Sequence, residues 1–123
     1  MFTEKFTNVM KREGVVAIVT WADNDAHVAN TWNSYLRRSG ENKLLIPAFG
    51  MHKTEQNLEA NPRVLVTLGS KEVEGLNGMG TGFLITGTAR FVATGSEVEK
   101  TKKEFGWANR VLEITMDSIE QTV

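Results

Sequence analysis

The segment that decides the fold reads Val15-Val16-Ala17-Ile18-Val19-Thr20-Trp21-Ala22-Asp23-Asn24-Asp25-Ala26. Its first part, Val15 to Trp21, is apolar and rich in β-branched side chains, which is typical of a buried strand. Residues 22–26, with Asp23, Asn24 and Asp25 at their centre, then predict a turn, and a second strand is expected from about His27 to Arg37. The segment therefore predicts a β-structure, around which the rest of the chain can be placed.

Four further strands are predicted, because apolar runs alternate with turn signals along the chain. They cover residues 43–47, 63–68, 83–93, with a kink at Gly87, and 108–115. Short helices are predicted over residues 3–12, 53–60 and 96–105, and a polar tail runs to Val123. Six strands at short spacing favour a mainly β fold, a small antiparallel barrel with short peripheral helices.

Composition limits the function classes. The 123 residues indicate a single domain over residues 1–123, and 14 Lys+Arg against 15 Asp+Glu disfavour a nucleic-acid binder. The chain has no cysteine, which excludes disulfides, thiolate nucleophiles, iron–sulfur clusters and cysteine-based zinc sites. No apolar run approaches the ~18 residues of a membrane span. We therefore expect a cytoplasmic protein that binds neither nucleic acid nor a membrane.

The segment Pro47-Ala48-Phe49-Gly50-Met51-His52-Lys53-Thr54-Glu55 predicts a phosphate site, because it leads from a strand into a helix. The first N–H groups of a helix have no partner inside it, and the helix dipole there favours anions. Lys53 adds a positive charge and Thr54 a hydroxyl donor. Pro47 and His52 stand where a Walker A loop needs glycine, which excludes a P-loop nucleotidase. The alternative, that Thr54 only caps the helix and Lys53 is solvated, stays open.

The segment Asn30-Thr31-Trp32-Asn33-Ser34-Tyr35 places amide and hydroxyl groups beside aromatic rings. Neither face of this predicted strand is cleanly apolar, although a barrel strand should alternate apolar and polar residues. The mixture suits a planar ligand that forms hydrogen bonds. An edge strand with exposed polar residues explains the same pattern, so both interpretations remain open.

The stretch from Gly69 to Gly82 is rich in glycine. Its Gly78-x-Gly80 pattern is only partly that of a dinucleotide fingerprint, since a β-like run follows and Phe83 occupies the third glycine position. A flexible hairpin loop is the favoured interpretation, although backbone N–H groups there could approach a ligand closely.

Neither a metal site nor a catalytic side chain is predicted. His27 and His52 lack the clustered ligands that a metal needs, and the Gly-x-Ser-x-Gly elbow of a serine hydrolase is missing. Trp21 and Trp107 could belong to the core or to a subunit interface.

Several long stretches resemble the FMN-binding split-barrel family, which includes pyridoxamine phosphate oxidase and the small FMN-binding proteins of sulfate-reducing bacteria. The likeness covers essentially the whole chain and includes residues 30–35 and 50–55 described above. Further matching stretches are Glu13-Gly14-Val15-Val16-Ala17-Ile18, Thr67-Leu68-Gly69-Ser70, Gly80-Thr81-Gly82-Phe83-Leu84-Ile85 and Glu120-Gln121-Thr122. The resemblance implies a six-stranded antiparallel split barrel, a homodimer, and FMN bound non-covalently near the subunit interface.

The resemblance also implies roles for individual residues. Lys53, Thr54 and Thr31 would hold the phosphate. Other residues would lie along the flavin or complete its cradle: Asn30, Trp32, Ser34, Tyr35, Gly50, Met51, Thr81 and Gly82. Trp107 and the C-terminal tail with Thr122 would reach across from the partner subunit. Phe49 departs from the family, which has glycine there.

The function that the resemblance implies is redox chemistry carried by FMN. Since no side chain stands out as a general acid or base, we expect a small electron-transfer flavoprotein with an unknown redox protein as partner. The alternative is an FMN-dependent reductase or oxidase that uses NAD(P)H or a small substrate. FMN storage or sensing without turnover and a flavin-free barrel are further alternatives. The charge of Glu13 is expected to tune the flavin potential.

Overall fold

A computed structural model describes all 123 residues and contains one seven-stranded antiparallel sheet with three short helices around it. The strands are β1 Val15–Ala22, β2 Asp25–Trp32, β3 Arg37–Ser39, β4 Lys43–Ala48, β5 Arg63–Gly75, β6 Gly78–Val92 and β7 Arg110–Gln121. The helices are α1 Glu4–Met10, α2 His52–Ala60 and α3 Ser96–Glu104. The strand order is β2-β1-β5-β6-β7-β4-β3, so β2 and β3 are edges and the sheet does not close. The mainly β class is confirmed, whereas the six-stranded barrel is wrong in strand number and closure.

The turn between β1 and β2 is tighter than predicted. Pairing runs from Val15 opposite Trp32 to Ala22 opposite Asp25, which leaves only Asp23 and Asn24 between the strands. Both turn residues are left-handed, with φ of 55° and 62°. Asp and Asn tolerate this conformation, and a two-residue turn of this kind matches the twist of a hairpin.

The predicted second strand breaks into two strands, and this break adds the seventh strand. One turn of 3-10 helix, Asn33–Tyr35, separates β2 from β3. The buried Asn33 side chain donates to the carbonyls of Arg12 and Gly69, at 3.0 and 2.9 Å. These bonds direct the Asn33 amide toward the end of α1 and toward β5, so the ladder with β1 ends at Trp32.

The glycine-rich stretch is not a loop, which corrects the prediction. β5 and β6 run on to a two-residue turn, and Gly75 pairs with Gly78. A Cβ on Gly75 would lie 2.1 Å from the carbonyl oxygen of Gly80, and one on Gly69 would lie 2.8 Å from that of Thr81. Gly69 and Gly75 therefore allow β5 and β6 to approach closely, whereas Gly78 and Gly80 have positive φ values of 130° and 106°, which residues with a side chain rarely adopt.

The last strand extends through most of the predicted polar tail. β7 pairs with β6 as far as Gln121, which lies opposite Phe83. The register shifts between Thr86 and Gly87, where a Cβ on Gly87 would lie 2.1 Å from the carbonyl oxygen of Thr115. The irregularity predicted at Gly87 is thus confirmed, and the polar tail is a strand because backbone pairing needs no apolar side chain.

α1 and α2 cover the inner face of the sheet and position the candidate site, whereas Val98 of α3 packs with Leu45 and Val111 in a separate cluster. Phe6 of α1 and Leu58 of α2 belong to the main hydrophobic core. Asn57 Nδ2 of α2 donates to Thr20 Oγ1 at 3.2 Å, and Asn61 Nδ2 donates to the Trp21 carbonyl at 3.2 Å. Asn61 at the end of α2 thus lies nearer the β1–β2 hairpin turn than Asn57 does. The start of α2 therefore lies at the far end of the helix, away from the hairpin turn. None of the three helices is long and apolar enough to cross a lipid bilayer.

Candidate functional site

The start of α2 has the features of an anion site. Gly50 and Met51 are both left-handed, with φ of 74° and 56°, and they turn the chain from β4 into the helix. Met51 is the N-cap residue and provides no side-chain hydrogen bond to the helix. The first N–H groups of α2 therefore have no side-chain cap, which leaves them able to bind an anion.

The two residues predicted to hold a phosphate differ in their surroundings. Lys53 is exposed, whereas Thr54 is fully buried. Thr54 Oγ1 has no hydrogen-bond partner, so the hydroxyl does not cap the helix as the alternative interpretation supposed. A buried hydroxyl without a partner costs about 1–3 kcal/mol, and a ligand oxygen that paired with it would recover this energy. Thr31, the third predicted phosphate residue, is buried on β2 opposite Val16.

The exposed face of the β1–β2 hairpin carries Asn30 and Trp32. Trp32 lies opposite Val15 and is 45% exposed, and Asn30 Nδ2 donates to the Val16 carbonyl at 3.3 Å. β2 is an edge strand, as one of the two interpretations proposed. Val28 on the same face is 55% exposed, so this edge presents apolar as well as polar groups to solvent.

Ser34 holds a carboxylate in place. Its hydroxyl donates to Glu13 Oε2 at 2.8 Å, and its backbone N–H donates to Glu13 Oε1 at 3.4 Å. The Gly14 N–H also donates to Glu13 Oε1. The Ser34 hydroxyl is the main cause that lowers the pKa of Glu13 below its ordinary value, with smaller contributions from the two backbone N–H groups. The carboxylate is therefore charged and oriented at neutral pH.

Asn33 is a buried support of this region that the sequence did not mark out. A Cβ on Gly14 would lie 2.8 Å from Asn33 Nδ2 and 2.6 Å from the Gly69 carbonyl oxygen. Only glycine therefore fits at position 14, and the end of α1, the 3-10 turn and β5 meet here. No signal in the sequence could identify this junction, because its members are distant along the chain.

Tyr35 and Trp107 meet in an aromatic cluster. Their ring centroids are 5.6 Å apart, and Phe105 packs against both at 5.2 and 6.0 Å. The guanidinium of Arg37 lies 5.0 Å from the Phe105 ring and pairs with Glu104. Arg37 is the main cause that lowers the pKa of Glu104. Trp107 remains 48% exposed, so the cluster has an open aromatic side.

Thr122 and Val123 are bound to β6 of the same chain. Thr81 Oγ1 donates to the Val123 backbone oxygen at 2.8 Å, and the Thr122 N–H donates to the Gly82 carbonyl at 2.9 Å. An open cleft of about 660 Å³ lies beside this contact. Its lining includes Glu13, Gly69, Lys71, Thr81 and Val123. The volume is within the range of about 300–1,000 Å³ that small-molecule sites occupy.

Besides Asn30, Thr31 and Trp32 on β2, the structure distributes the predicted residues over three further places. The first is the start of α2, with Gly50, Met51, Lys53 and Thr54. The second is the aromatic cluster of Tyr35 and Trp107. The third is the cleft, where Thr81 and Gly82 meet Thr122 while Ser34 holds Glu13 at the rim.

Comparison with known proteins assigns a family. A sequence profile described as pyridoxamine 5′-phosphate oxidase matches residues 2–122. The chain is also 50% identical over 123 residues to the FMN-binding protein of Nitratidesulfovibrio vulgaris, and the match covers all of both chains.

Solved structures share the fold at low sequence identity. HupZ of Group A Streptococcus superposes with a TM-score of 0.80 at 16% identity, covering 98% of this chain and 94% of that one. An FMN-binding protein of Syntrophomonas wolfei gives 0.72 at 15% identity, covering 88% of this chain and 76% of that one.

Proposed function

Because the chain belongs to the pyridoxamine 5′-phosphate oxidase family, we propose that it binds FMN non-covalently and works as a small electron-transfer flavoprotein in a homodimer. The observation that carries the proposal is the 50% identity, over the full length of both chains, to a protein named for FMN binding. We expect the protein to work in the cytoplasm.

The start of α2 fits a phosphate monoester. It offers uncapped N–H groups, the exposed ammonium of Lys53 and the unpaired buried hydroxyl of Thr54. An anion with several acceptor oxygens satisfies such a set of donors better than a neutral ligand does. We assign this place to the phosphate of FMN.

Aromatic and amide groups suit the flavin ring. Trp32 and the Tyr35–Trp107 pair leave ring surface exposed, on which a planar ligand can pack. Asn30 and Ser34 add polar groups beside these rings. FMN, when bound, supplies the electron chemistry, while these residues bind it, orient it and limit the access of water. We expect the fixed carboxylate of Glu13 to tune the flavin potential through its negative field, so that Glu13→Gln shifts the midpoint potential.

The homodimer is supported by the apolar outer face of β1 and β2. Val15 and Trp32 lie opposite each other and are 52% and 45% exposed, and Val28, four residues from Trp32 on the same face, is 55% exposed. Large apolar side chains exposed together on one face of a hairpin favour an interface with another protein surface. Val28→Glu should therefore shift the sedimentation coefficient from dimer to monomer, whereas Lys103→Glu on α3 should not. An unchanged dimer in both variants would place the interface elsewhere.

We prefer electron transfer to substrate turnover because Glu13, the carboxylate that Ser34 holds at the rim of the open cleft, has a lowered pKa and is therefore charged at neutral pH. A general acid at neutral pH would instead need a raised carboxyl pKa. The open cleft beside Thr81 is the observation that favours the second candidate, an FMN-dependent reductase or oxidase with a small substrate. Steady consumption of NADH or NADPH by the flavin-loaded protein would support this second candidate.

An absorption spectrum and flavin titrations test the proposal. The purified protein should show flavin absorption, or acquire it with FMN, and should bind FMN more tightly than riboflavin. We expect Lys53→Ala to weaken FMN about five- to tenfold and riboflavin less than about twofold, since riboflavin has no phosphate to lose. Lys103→Ala, an exposed lysine on α3, is the matched control.

Three results would contradict the proposal. A protein that stays colourless with FMN binds no flavin. Equal losses of FMN and riboflavin in Lys53→Ala would place the phosphate away from α2. Tighter binding of FAD than of FMN would show that FMN is not the preferred cofactor.

Rapid, reversible reduction by a low-potential redox protein, without net consumption of NAD(P)H, would support the electron-transfer function.

A further inference from the structure

Arg110 occupies a position that no predicted role explains. It begins β7 and pairs with Ala48, the last residue of β4, so it lies where the chain leaves the sheet for α2. Its side chain is only 12% exposed, although it carries a full positive charge. The guanidinium carbon lies 4.3 Å from the centre of the Phe91 ring, which packs against one face of it. The group is thus held in place, which is unusual for a surface arginine.

The donors of this guanidinium point at the start of α2. Nη2 lies 2.5 Å from the Gly50 carbonyl oxygen and 3.2 Å from Glu55 Oε1. One nitrogen therefore bridges the residue before the N-cap and a carboxylate in the first turn of the helix. The Asn109 N–H adds a bond of 3.0 Å to the Ala48 carbonyl, which attaches the start of β7 to the end of β4.

The turn that Arg110 contacts is strained. Met51 is left-handed at φ 56°, a conformation that residues other than glycine, Asn and Asp rarely adopt. Such a residue persists only where its surroundings enforce it. Arg110 donates a charge-assisted hydrogen bond to the carbonyl of Gly50, the residue directly before Met51. Arg110 is therefore the contact that can enforce the turn.

Charge gives Arg110 a second effect on the same place. Glu55 puts a negative charge into the first turn of α2, where it would repel a bound phosphate. The ion pair with Arg110 offsets that charge. The first turn can then present N–H groups and Lys53 to an anion without opposition from Glu55.

We propose that Arg110 is a positioning residue of the phosphate site: it holds the left-handed Gly50–Met51 turn and neutralises Glu55, so that the start of α2 is shaped to receive the phosphate. This inference rests on the proposed FMN function. It adds Arg110, which lies about sixty positions from Gly50 in the sequence. Arg110 contacts the backbone of the phosphate segment and not the ligand.

The test compares Arg110→Gln with Arg90→Gln. Arg90 lies on β6, one residue before Phe91, so its side chain points to the opposite face of the sheet from Phe91 and pairs with Glu113. Its replacement therefore removes the same charge without removing a hydrogen bond to Gly50. FMN and riboflavin affinities are measured for both variants by fluorescence titration. We expect Arg110→Gln to weaken FMN about tenfold and riboflavin less than about twofold, the loss expected when one charge-assisted contact is removed. Arg90→Gln should change either affinity less than about twofold.

A second measurement uses the flavin-free protein and Arg110→Lys, which keeps the charge but replaces the planar fork with a single ammonium. Backbone carbon chemical shifts of Gly50 and Met51 report whether the turn stays left-handed. In the wild-type protein these chemical shifts should have the values of left-handed residues. In Arg110→Lys the shifts should move toward the values of an ordinary loop. This variant also decides the question if Arg110→Gln fails to fold.

The outcomes separate this inference from the proposed function. If the wild-type protein binds no flavin, the proposed function fails and the phosphate role of Arg110 fails with it. If the wild-type protein binds FMN but Arg110→Gln binds it equally well, or loses FMN and riboflavin alike, Arg110 does not position the phosphate site. Equal losses in Arg110→Gln and Arg90→Gln would show a general effect of charge. Unchanged Gly50 and Met51 shifts in Arg110→Lys would show that the turn does not depend on the guanidinium fork.

Discussion

Replacing Asn33 by alanine tests how strongly one buried amide holds three parts of the fold together. Asn33 is 0% exposed, and its Nδ2 lies 3.0 Å from the Arg12 oxygen, 2.9 Å from the Gly69 oxygen and 3.3 Å from the Val9 oxygen. These carbonyls belong to the end of α1 and to β5. Alanine would leave them without this donor.

The expected loss follows from these contacts. The amide has two N–H groups, so two of the three bonds are counted as effective. Each carbonyl that loses its donor costs about 1 kcal/mol, and the void left by the amide adds about 1 kcal/mol. The Asn33 Oδ1 atom is buried without a partner, so its removal returns about 1 kcal/mol. We therefore expect Asn33→Ala to lower the free energy of unfolding by about 2 kcal/mol, which for a chain of this length corresponds to a drop in Tm of about 8 °C.

Urea unfolding followed by far-ultraviolet circular dichroism measures this loss, with the slope m compared between variants. The control is Asn30→Ala, which removes a single amide bond of 3.3 Å from an exposed residue of the neighbouring strand. It should cost no more than about 0.5 kcal/mol. If the two variants differ by less than about 1 kcal/mol, the buried amide is not the junction that its contacts indicate.

Three further predictions concern packing, pH and the flavin. Gly87→Ala should lower the stability measured by thermal unfolding by at least about 2 kcal/mol, because its Cβ would lie 2.1 Å from a backbone oxygen of β7. Gly106→Ala, whose Cβ would have nothing within 4 Å, should change the stability little. Similar losses in the two variants would contradict this prediction. Because the pKa of Glu13 is lowered in the folded protein, its ionised carboxylate stabilises the fold at pH values above the carboxyl's ordinary pKa. This stabilisation is lost as the pH falls through the lower pKa of the folded state. The stability difference between wild type and Glu13→Gln, measured by urea unfolding, should therefore shrink below about pH 4, and a constant difference would rule out this linkage. Trp32→Phe should raise the fluorescence of bound flavin while Trp21→Phe leaves it unchanged, and equal responses would place Trp32 away from the ring.

Local signals were sufficient for the elements that depend on local chemistry. The apolar run in β1 and the Asp-Asn turn after it predicted the first hairpin, because strand and turn preferences act within a few residues. The start of α2 was predictable for the same reason, since the end of any helix leaves N–H groups unpaired. Gly87 was recognised as an irregular point of its strand.

Other elements depended on which segments pair. The glycines from Gly69 to Gly82 suggested a loop, yet β5 and β6 pair through this stretch, and Gly69 and Gly75 allow their close approach. The polar residues at the end of β7 suggested a tail, yet β6 supplies hydrogen-bond partners as far as Gln121. Side-chain character could not reveal either strand, because backbone pairing is independent of polarity.

The sequence by itself determined the β-rich class, the first hairpin, the start of α2 after β4 and, through its likeness to known proteins, the family. Only the tertiary structure decided the seven-stranded order, the buried Asn33 junction, the Tyr35–Trp107 contact and the bond from Arg110 to the Gly50 carbonyl. The reason is physical. Torsional preference and periodicity act over a few neighbouring residues, whereas the partner of a buried amide, ring or guanidinium is set by segments that lie far apart in the chain and meet only when the sheet has formed.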